Sequence, residues 1–270
     1  MMPRSGHESG TVNRMPESRS PMIEISGLRK VYAKRGEPVE ALGEVSFTVY
    51  ENEFVSIVGR SGCGKTSILK IVAGLMSPSA GSVKVRGTPV TGPRREVGMV
   101  FQAPVLPPWR TIMDNVLLPI EMLDLEVEAY RPKALALLHL VGLEGFEGRY
   151  PRELSGGMQQ RASIVRALVH DPRLLLMDEP FGALDAITRE EMNLELLRIW
   201  TEQRKTTLLV THSISESVFL SDRVVIMTPR PGRVAEEVKI DLPRPRASTM
   251  KSSPRFIEYV EAIGRRIGMA

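Results

Sequence analysis

The run Gly59-Arg-Ser-Gly-Cys-Gly-Lys65-Thr66 constrains this chain more than any other. It follows the short apolar segment Glu53–Val58 without a break. Beyond it Ile68, Val72 and Leu75 recur at helical spacing, so a helix is predicted from Lys65 until Ser77-Pro78 ends it. Strand, glycine-rich turn, helix is the context in which G-x-x-x-x-G-K-[ST] binds phosphate. Gly59, Gly62 and Gly64 let the backbone curl until several N–H groups point inward, and the helix N-terminus adds a positive field. Lys65 is placed to reach the β- and γ-phosphates and Thr66 to put its hydroxyl on Mg²⁺. Arg60, Ser61, Cys63 and Ser67 fall inside or beside the same loop and are counted with it as nucleotide-binding positions.

The remaining chain reads as α/β. Met22–Ile25 and Ala41–Tyr50 alternate like strands of a half-buried sheet, and Ser82–Val85 and Val97–Phe101 add two more. Leu174–Met177, Thr206–Val210 and Arg223–Met227 are apolar on both faces, which suits a parallel sheet covered by helices on each side. After Gln102 the character changes. Pro104, Pro107, Pro108 and Pro119 interrupt any regular element, then Ala134–Val141 turns helical. The segment is an inserted helical subdomain, about residues 103–163 when the helix beginning near Ser155 is included. Met192, Leu196, Ile199 and Trp200 share a helical face, which assigns Trp200 to the core. Residues 1–21, without an apolar stretch, read as a disordered leader with no secretory signal. Residues 247–270 read as a tail whose helix, Pro254–Ile267, carries Phe256, Val260, Ile263 and Ile267 on one stripe.

Composition narrows the partners. With 42% hydrophobic and 25% charged residues the chain is of ordinary globular type, and no apolar run nears the roughly 20 residues that span a bilayer. One cysteine excludes a disulfide framework. The net charge is +4, and from Asp241 onward six Lys or Arg face three Asp or Glu, so +3 of it lies in the tail. Those cations lack the aromatic interleaving of single-strand binders, so no nucleic-acid partner is expected.

Four further positions carry chemistry. Asp178 closes the apolar run Leu174-Leu-Leu-Met-Asp178, where a carboxylate at the C-terminal end of a strand can hold Mg²⁺. Glu179 projects differently and is assigned to polarise the attacking water. Gln102, after the strand Val97–Phe101, can offer its amide to metal or water. His212, ending Thr206–His212, can hydrogen-bond a γ-phosphate. Ser155-Gly156-Gly157 opens another helix with a good N-cap and exposed N–H groups, a second phosphate-seeking helix end in a chain with one phosphate loop.

Leu154-Ser-Gly-Gly-Met-Gln-Gln-Arg161 resembles the signature of ATP-binding-cassette (ABC) ATPases, and the resemblance spans about Met22 to Arg246. It implies a P-loop NTPase core of RecA-like type, with an antiparallel β subdomain and an inserted helical subdomain. It further implies that Ser155, Gly156, Gly157 and Gln159 close over the ATP held by a second copy of the chain, head to tail. Tyr32 takes the place of the aromatic that stacks on adenine, Gln102 the Q-loop, Asp185 the D-loop and His212 the switch histidine. Ser213 departs from the Asp that often follows that histidine. The absence of an [NT]-K-x-D run favours ATP over GTP. Pro104-Val-Leu-Pro-Pro-Trp109-Arg110-Thr111, Asn115-Val116 and Met227-Thr-Pro-Arg-Pro-Gly-Arg233 look like the nitrate/sulfonate/taurine importer subfamily, a group that also holds thiamine-pyrimidine and riboflavin systems. The resemblance thus implies a peripheral ATPase on the cytoplasmic face of the plasma membrane. It would drive integral-membrane permease subunits, with a solute-binding protein acting indirectly, and the segment carrying Trp109 would meet a permease helix. Translation and repair ATPases fit less well, because one phosphate loop and a short insertion leave no second cassette and no long coiled coil. A small-molecule kinase gives no reason for the signature.

Overall fold

A computed structural model describes residues 20–33, 37–182 and 184–268. In chain order its elements are β1 (Pro21–Tyr32), β2 (Val39–Tyr50), β3 (Phe54–Val58), α1 (Lys65–Val72), β4 (Ala80–Val85), β5 (Thr88–Pro89) and β6 (Val97–Val100). Then come α2 (Ile112–Met122), α3 (Val127–Leu140), α4 (Gly156–Leu168), β7 (Leu174–Asp178), α5 (Ala186–Gln203) and β8 (Thr206–Val210). The chain closes with α6 (Ile214–Leu220), β9 (Arg223–Met227), β10 (Val234–Lys239) and α7 (Pro254–Ile267).

Two sheets result. One has the order β2-β1-β4-β5 and its pairs are antiparallel. The other has the order β10-β9-β3-β8-β7-β6, parallel except where β10 returns along β9. The parallel strands are buried on both faces, and their side chains alternate between two cores. Val55, Ile57, Leu174, Leu176, Leu208 and Val210 face α1 and the antiparallel sheet. Phe54, Val58, Leu175, Met177 and Leu209 face the remaining helices. Only one face is therefore covered wholly by helices; α1 and the antiparallel sheet cover the other, a correction to the expected two-sided helical cover. Trp200 is buried in the helical core, edge-on to Phe54 with ring centroids 6.0 Å apart.

Four expectations are corrected. α1 stops at Val72, not at Ser77-Pro78: Gly74 adopts φ +73°, and a Cβ there would lie 2.0 Å from the Gly92 carbonyl oxygen. Leu75, read as part of the apolar face, is 51% exposed. α2 exists where prolines argued against a helix. The Thr111 hydroxyl accepts from the Asp114 N–H (3.2 Å) and the Asp114 carboxylate accepts from the Thr111 N–H (3.3 Å), a capping box that starts the helix despite Pro119. α3 begins at Val127, seven residues before the predicted start at Ala134, and accommodates Pro132 in its first half. β1 runs to Tyr32, far past Ile25, and starts at Pro21, one residue inside the expected leader; residues 1–19 of that leader lie outside the described residues.

α2, α3 and α4 pack on one another as a lobe between β6 and β7. α7 packs on α6 and β9 and adds Phe256 and Ile263 to the helical core, so its apolar stripe faces its own chain. Among the described residues no helix is long and apolar enough to cross a membrane.

Candidate nucleotide-binding site

The parallel order and the connections after β3, β6, β7 and β8 bring four sequence-distant turns to one end of the sheet. A polar cavity of about 450 Å³ lies there, and Ser61, Gly62, Gly64, Lys65, Thr66 and Ser67 form its floor. Tyr32, Gln102 and Glu179 line it from three other elements. Lys65 is 5% exposed, and its ammonium donates to the carbonyls of Gly59 (2.8 Å) and Arg60 (3.2 Å), so it is held at the centre of the loop. Gly64 at φ +95° caps α1, and a Cβ there would fall 2.4 Å from a Leu42 methyl, so only glycine fits. The Tyr32 hydroxyl and Ser67 Oγ are 2.9 Å apart, which pins the ring beside the start of α1.

The Thr66 hydroxyl donates to Asp178 Oδ1 at 2.9 Å, joining the loop to the end of β7. Burial pushes the Asp178 carboxyl above the usual carboxylate range; the Thr66 bond opposes this, Glu179 adds to it, and Lys70 and Lys65 oppose it. Glu179 leaves the strand in the left-handed region, φ +44°, where a side chain is strained. That turn sends its carboxylate to the cavity, while its N–H stays bonded to the Val210 carbonyl (2.8 Å). His212 Nδ1 lies 3.1 Å from Glu179 Oε2, so His212 reaches the cavity through Glu179 and does not line it.

Three predicted loop positions, and Asp178 at the end of β7, do not line the cavity. Gly59 and Cys63 are buried: a Cβ on Gly59 would meet Cys63 Sγ and the Met227 carbonyl at 3.0 Å each, so both residues shape the loop. Arg60 turns its side chain to solvent and offers only its carbonyl. The signature residues lie elsewhere on the surface. Ser155 caps α4, its hydroxyl accepting from the Met158 N–H at 3.3 Å. A Cβ on Gly157 would lie 2.9 Å from Thr188 Cγ2, so α4 and α5 meet closely at their N-termini. There Asp185 caps α5, accepting from the N–H groups of Ile187 (3.1 Å) and Thr188 (3.0 Å), and these bonds with the Thr188 hydroxyl hold its carboxyl below the usual range. Gln159 commits its amide nitrogen to the carbonyls of Pro151 (2.9 Å) and Leu154 (3.1 Å), leaving only its amide oxygen for any ligand.

The chain matches the family model described as ABC transporter over residues 42–182. It is 48% identical over 241 residues to an ABC transporter ATP-binding protein of Methanocaldococcus jannaschii, covering 89% of each chain. The chain belongs to the ABC transporter family. The cassette is 45% identical over 247 residues to the taurine import ATP-binding protein of Yersinia pseudotuberculosis (88% of this chain, 95% of that one). It is 40% identical over 230 residues to the aliphatic sulfonates import ATP-binding protein of Bacillus cereus (85% and 90%). Its fold superposes with TM-score 0.72 at 34% identity on an ATP-binding cassette solved as a dimer in a post-hydrolysis state with ADP and Pi, covering 81% of this chain and 99% of that one. The cassette is an ATPase.

Three cavity residues carried no sequence assignment: Val39, Ala41 and Arg230. The run Met227–Arg233 had marked lineage only, although a cation between two prolines in a strand-joining turn is a visible sign of a held charge.

Below the Glu179–His212 pair, Glu216 is 4% exposed, with Oε1 lacking a hydrogen-bond partner among the described residues. Burial pushes its carboxyl above the ordinary 4.5, with Thr211, Arg189, His212 and Lys251 opposing. Ionised Glu216 therefore costs stability at high pH. The cost fades as pH falls through the raised value and is gone below the ordinary one. Glu216→Gln is expected to raise the melting temperature at pH 8, with the gain shrinking toward pH 4.5. An equal gain at both pH values in thermal denaturation contradicts this account.

Proposed function

We propose that the cassette is the ATP-hydrolysing subunit of an importer for a small sulfonate-type solute, acting on separate integral-membrane permease subunits. The names of its relatives, taurine and aliphatic sulfonate import proteins, support that solute class over the nitrate, thiamine-pyrimidine and riboflavin alternatives. The subunit then sits peripherally on the cytoplasmic face of the membrane, with a solute-binding protein acting on the far side.

The roles follow from the donor sets. Ser61–Ser67 supplies N–H groups, hydroxyls and the Lys65 ammonium for the phosphates, and Tyr32 supplies the adenine platform. Thr66, Asp178 and Gln102 are oxygen donors of the kind Mg²⁺ takes, few enough to leave room for phosphate oxygens and water. The metal would neutralise charge on the transferring phosphoryl group. Glu179 orients the attacking water, and His212 holds Glu179 from behind. A groove of about 400 Å³ between β6, α2 and α4, lined by Met99, Phe101, Val105, Leu118 and Met122, is suited to an apolar helix of the permease.

One observation carries the reading. Ser61–Ser67, Tyr32, Gln102 and Glu179 meet at one cavity, with Asp178 and His212 joined to it through Thr66 and Glu179, whereas Ser155-Gly156-Gly157 opens a different helix and lines none of it. A second copy placed head to tail completes the site, and the dimeric form of the superposable cassette supports that arrangement. The test mixes a Lys65→Ala chain with a Ser155→Arg chain. Head to tail, one site of the mixed dimer carries both lesions and the other neither, so ATPase activity exceeds that of either variant alone. If each chain completed its own site, both sites would be damaged and no activity would return.

A further inference from the structure

The turn between β9 and β10, Thr228–Arg233, folds back onto the phosphate loop. The Gly232 N–H donates to the Ala41 carbonyl (3.0 Å), and the Gly43 N–H donates to the Gly232 carbonyl (2.9 Å). A Cβ on Gly232 would stand 1.9 Å from the Cys63 carbonyl oxygen, so the turn touches the phosphate loop backbone and only glycine permits it. The turn is also closed on itself, because the Thr228 hydroxyl accepts from the Arg233 N–H (3.0 Å) and donates to the Pro229 carbonyl (3.1 Å). Two prolines, Pro229 and Pro231, flank its tip and restrict the backbone there.

Arg230 is that tip. It lines the cavity together with Tyr32, Val39 and Ala41, near the β2 strand that anchors the turn, and with the phosphate loop itself. Among the described residues its guanidinium enters no hydrogen bond or ion pair, whereas Arg223 and Arg244 of the same chain are each paired to carboxylates. Of the other charged groups lining the cavity, Lys65 is held by loop carbonyls, and Glu179 is held by His212. A planar, always-charged fork on a stiffened turn fits a phosphate oxygen pair, and the pre-set backbone lowers the ordering cost of using it.

We propose that Arg230 is a nucleotide-binding residue whose guanidinium takes phosphate oxygens of the bound ATP. The turn Thr228–Arg233 is then a second phosphate-contacting segment beside the phosphate loop. The inference rests on the reading that this cavity holds ATP.

Displacement of a fluorescent ATP analogue from the full-length chain by ATP, tripolyphosphate and adenosine tests it. Arg230→Ala should weaken ATP and tripolyphosphate by about tenfold, the loss of one charge-assisted contact, and leave adenosine unchanged. Arg230→Lys should recover only part of the loss, because an ammonium cannot bond in a fork. The melting temperature of both variants without nucleotide should match the wild type, since the side chain is exposed. Arg230→Ala that binds ATP like the wild type overturns the inference and leaves the cavity reading intact. Equal losses for adenosine and tripolyphosphate overturn it in favour of a role in shaping the pocket. A wild-type chain that does not bind the analogue overturns both.

Discussion

Glu179→Gln is expected to bind ATP as the wild type does and to hydrolyse it slower by about 10²-fold or more, the range lost with a general base. The substitution keeps the shape and removes the ability to accept a proton. Binding survives because the phosphate floor, Ser61–Ser67, and the Thr66–Asp178 link are untouched. Hydrolysis fails because Glu179 alone of the carboxylates is turned to the cavity by its own backbone. At φ +44° it departs from the line of β7, while Asp178 beside it is spent on Thr66. His212, 3.1 Å from Oε2, fixes the remaining freedom of the carboxylate. Slowed hydrolysis with intact binding should also accumulate an ATP-bound dimer. Phosphate release and size-exclusion chromatography with MgATP read the two effects separately. Near-normal turnover would remove Glu179 from the role of base.

The same strain shows where sequence reading works and where it stops. β3, the glycine loop and α1 are legible because their signals are local: an apolar run, three glycines and a helical repeat lie within some twenty residues. Asp178 and Glu179 are legible as a pair, yet the left-handed turn that separates their directions has no local signature, since it falls on Glu179, a residue type with no preference for it. The end of α1 is decided by the Gly92 carbonyl, which arrives from a loop beyond β5. Pro119 masked α2 because a proline weighs heavily in a local reading, while the Thr111–Asp114 box that outweighs it rests on only two residues. Gln159 reads as part of a ligand-binding run, but its amide nitrogen secures the turn at Pro151. Arg230 belongs to a strand-joining turn until the contacts of Gly232 with Ala41 and Cys63 place that turn at the cavity.

Trp109→Ala is expected to leave the isolated cassette folded and competent for ATP, and to abolish transport in the assembled system. Trp109 is 76% exposed, so its removal costs the fold little, within about 0.5 kcal/mol for an ordinary surface site. An exposed tryptophan four residues along the chain from Val105 (60%), which with Met122 (78%) lines an apolar groove, has the profile of an interface anchor. Loss of such an anchor costs about 2 kcal/mol or more, roughly thirtyfold in affinity for the permease. The segment is also joined to the cavity. Gln102 lines the cavity, and the residues around it are held from α4: Gln160 donates to the Phe101 carbonyl (3.4 Å), and Arg166 to those of Pro104 (2.8 Å) and Val105 (2.9 Å). Because Ser155 caps the same α4, movement at Gln102 or at Ser155 is expected to shift the base of the Trp109 loop. A variant that co-purifies with its permease and transports at the wild-type rate would place the coupling surface elsewhere. Arg166→Met tests transmission: it keeps Trp109 and the apolar lining of the groove, beside which Arg166 sits, while cutting the two bonds to the loop. It should assemble with the permease and bind ATP, yet hydrolyse ATP without matching transport.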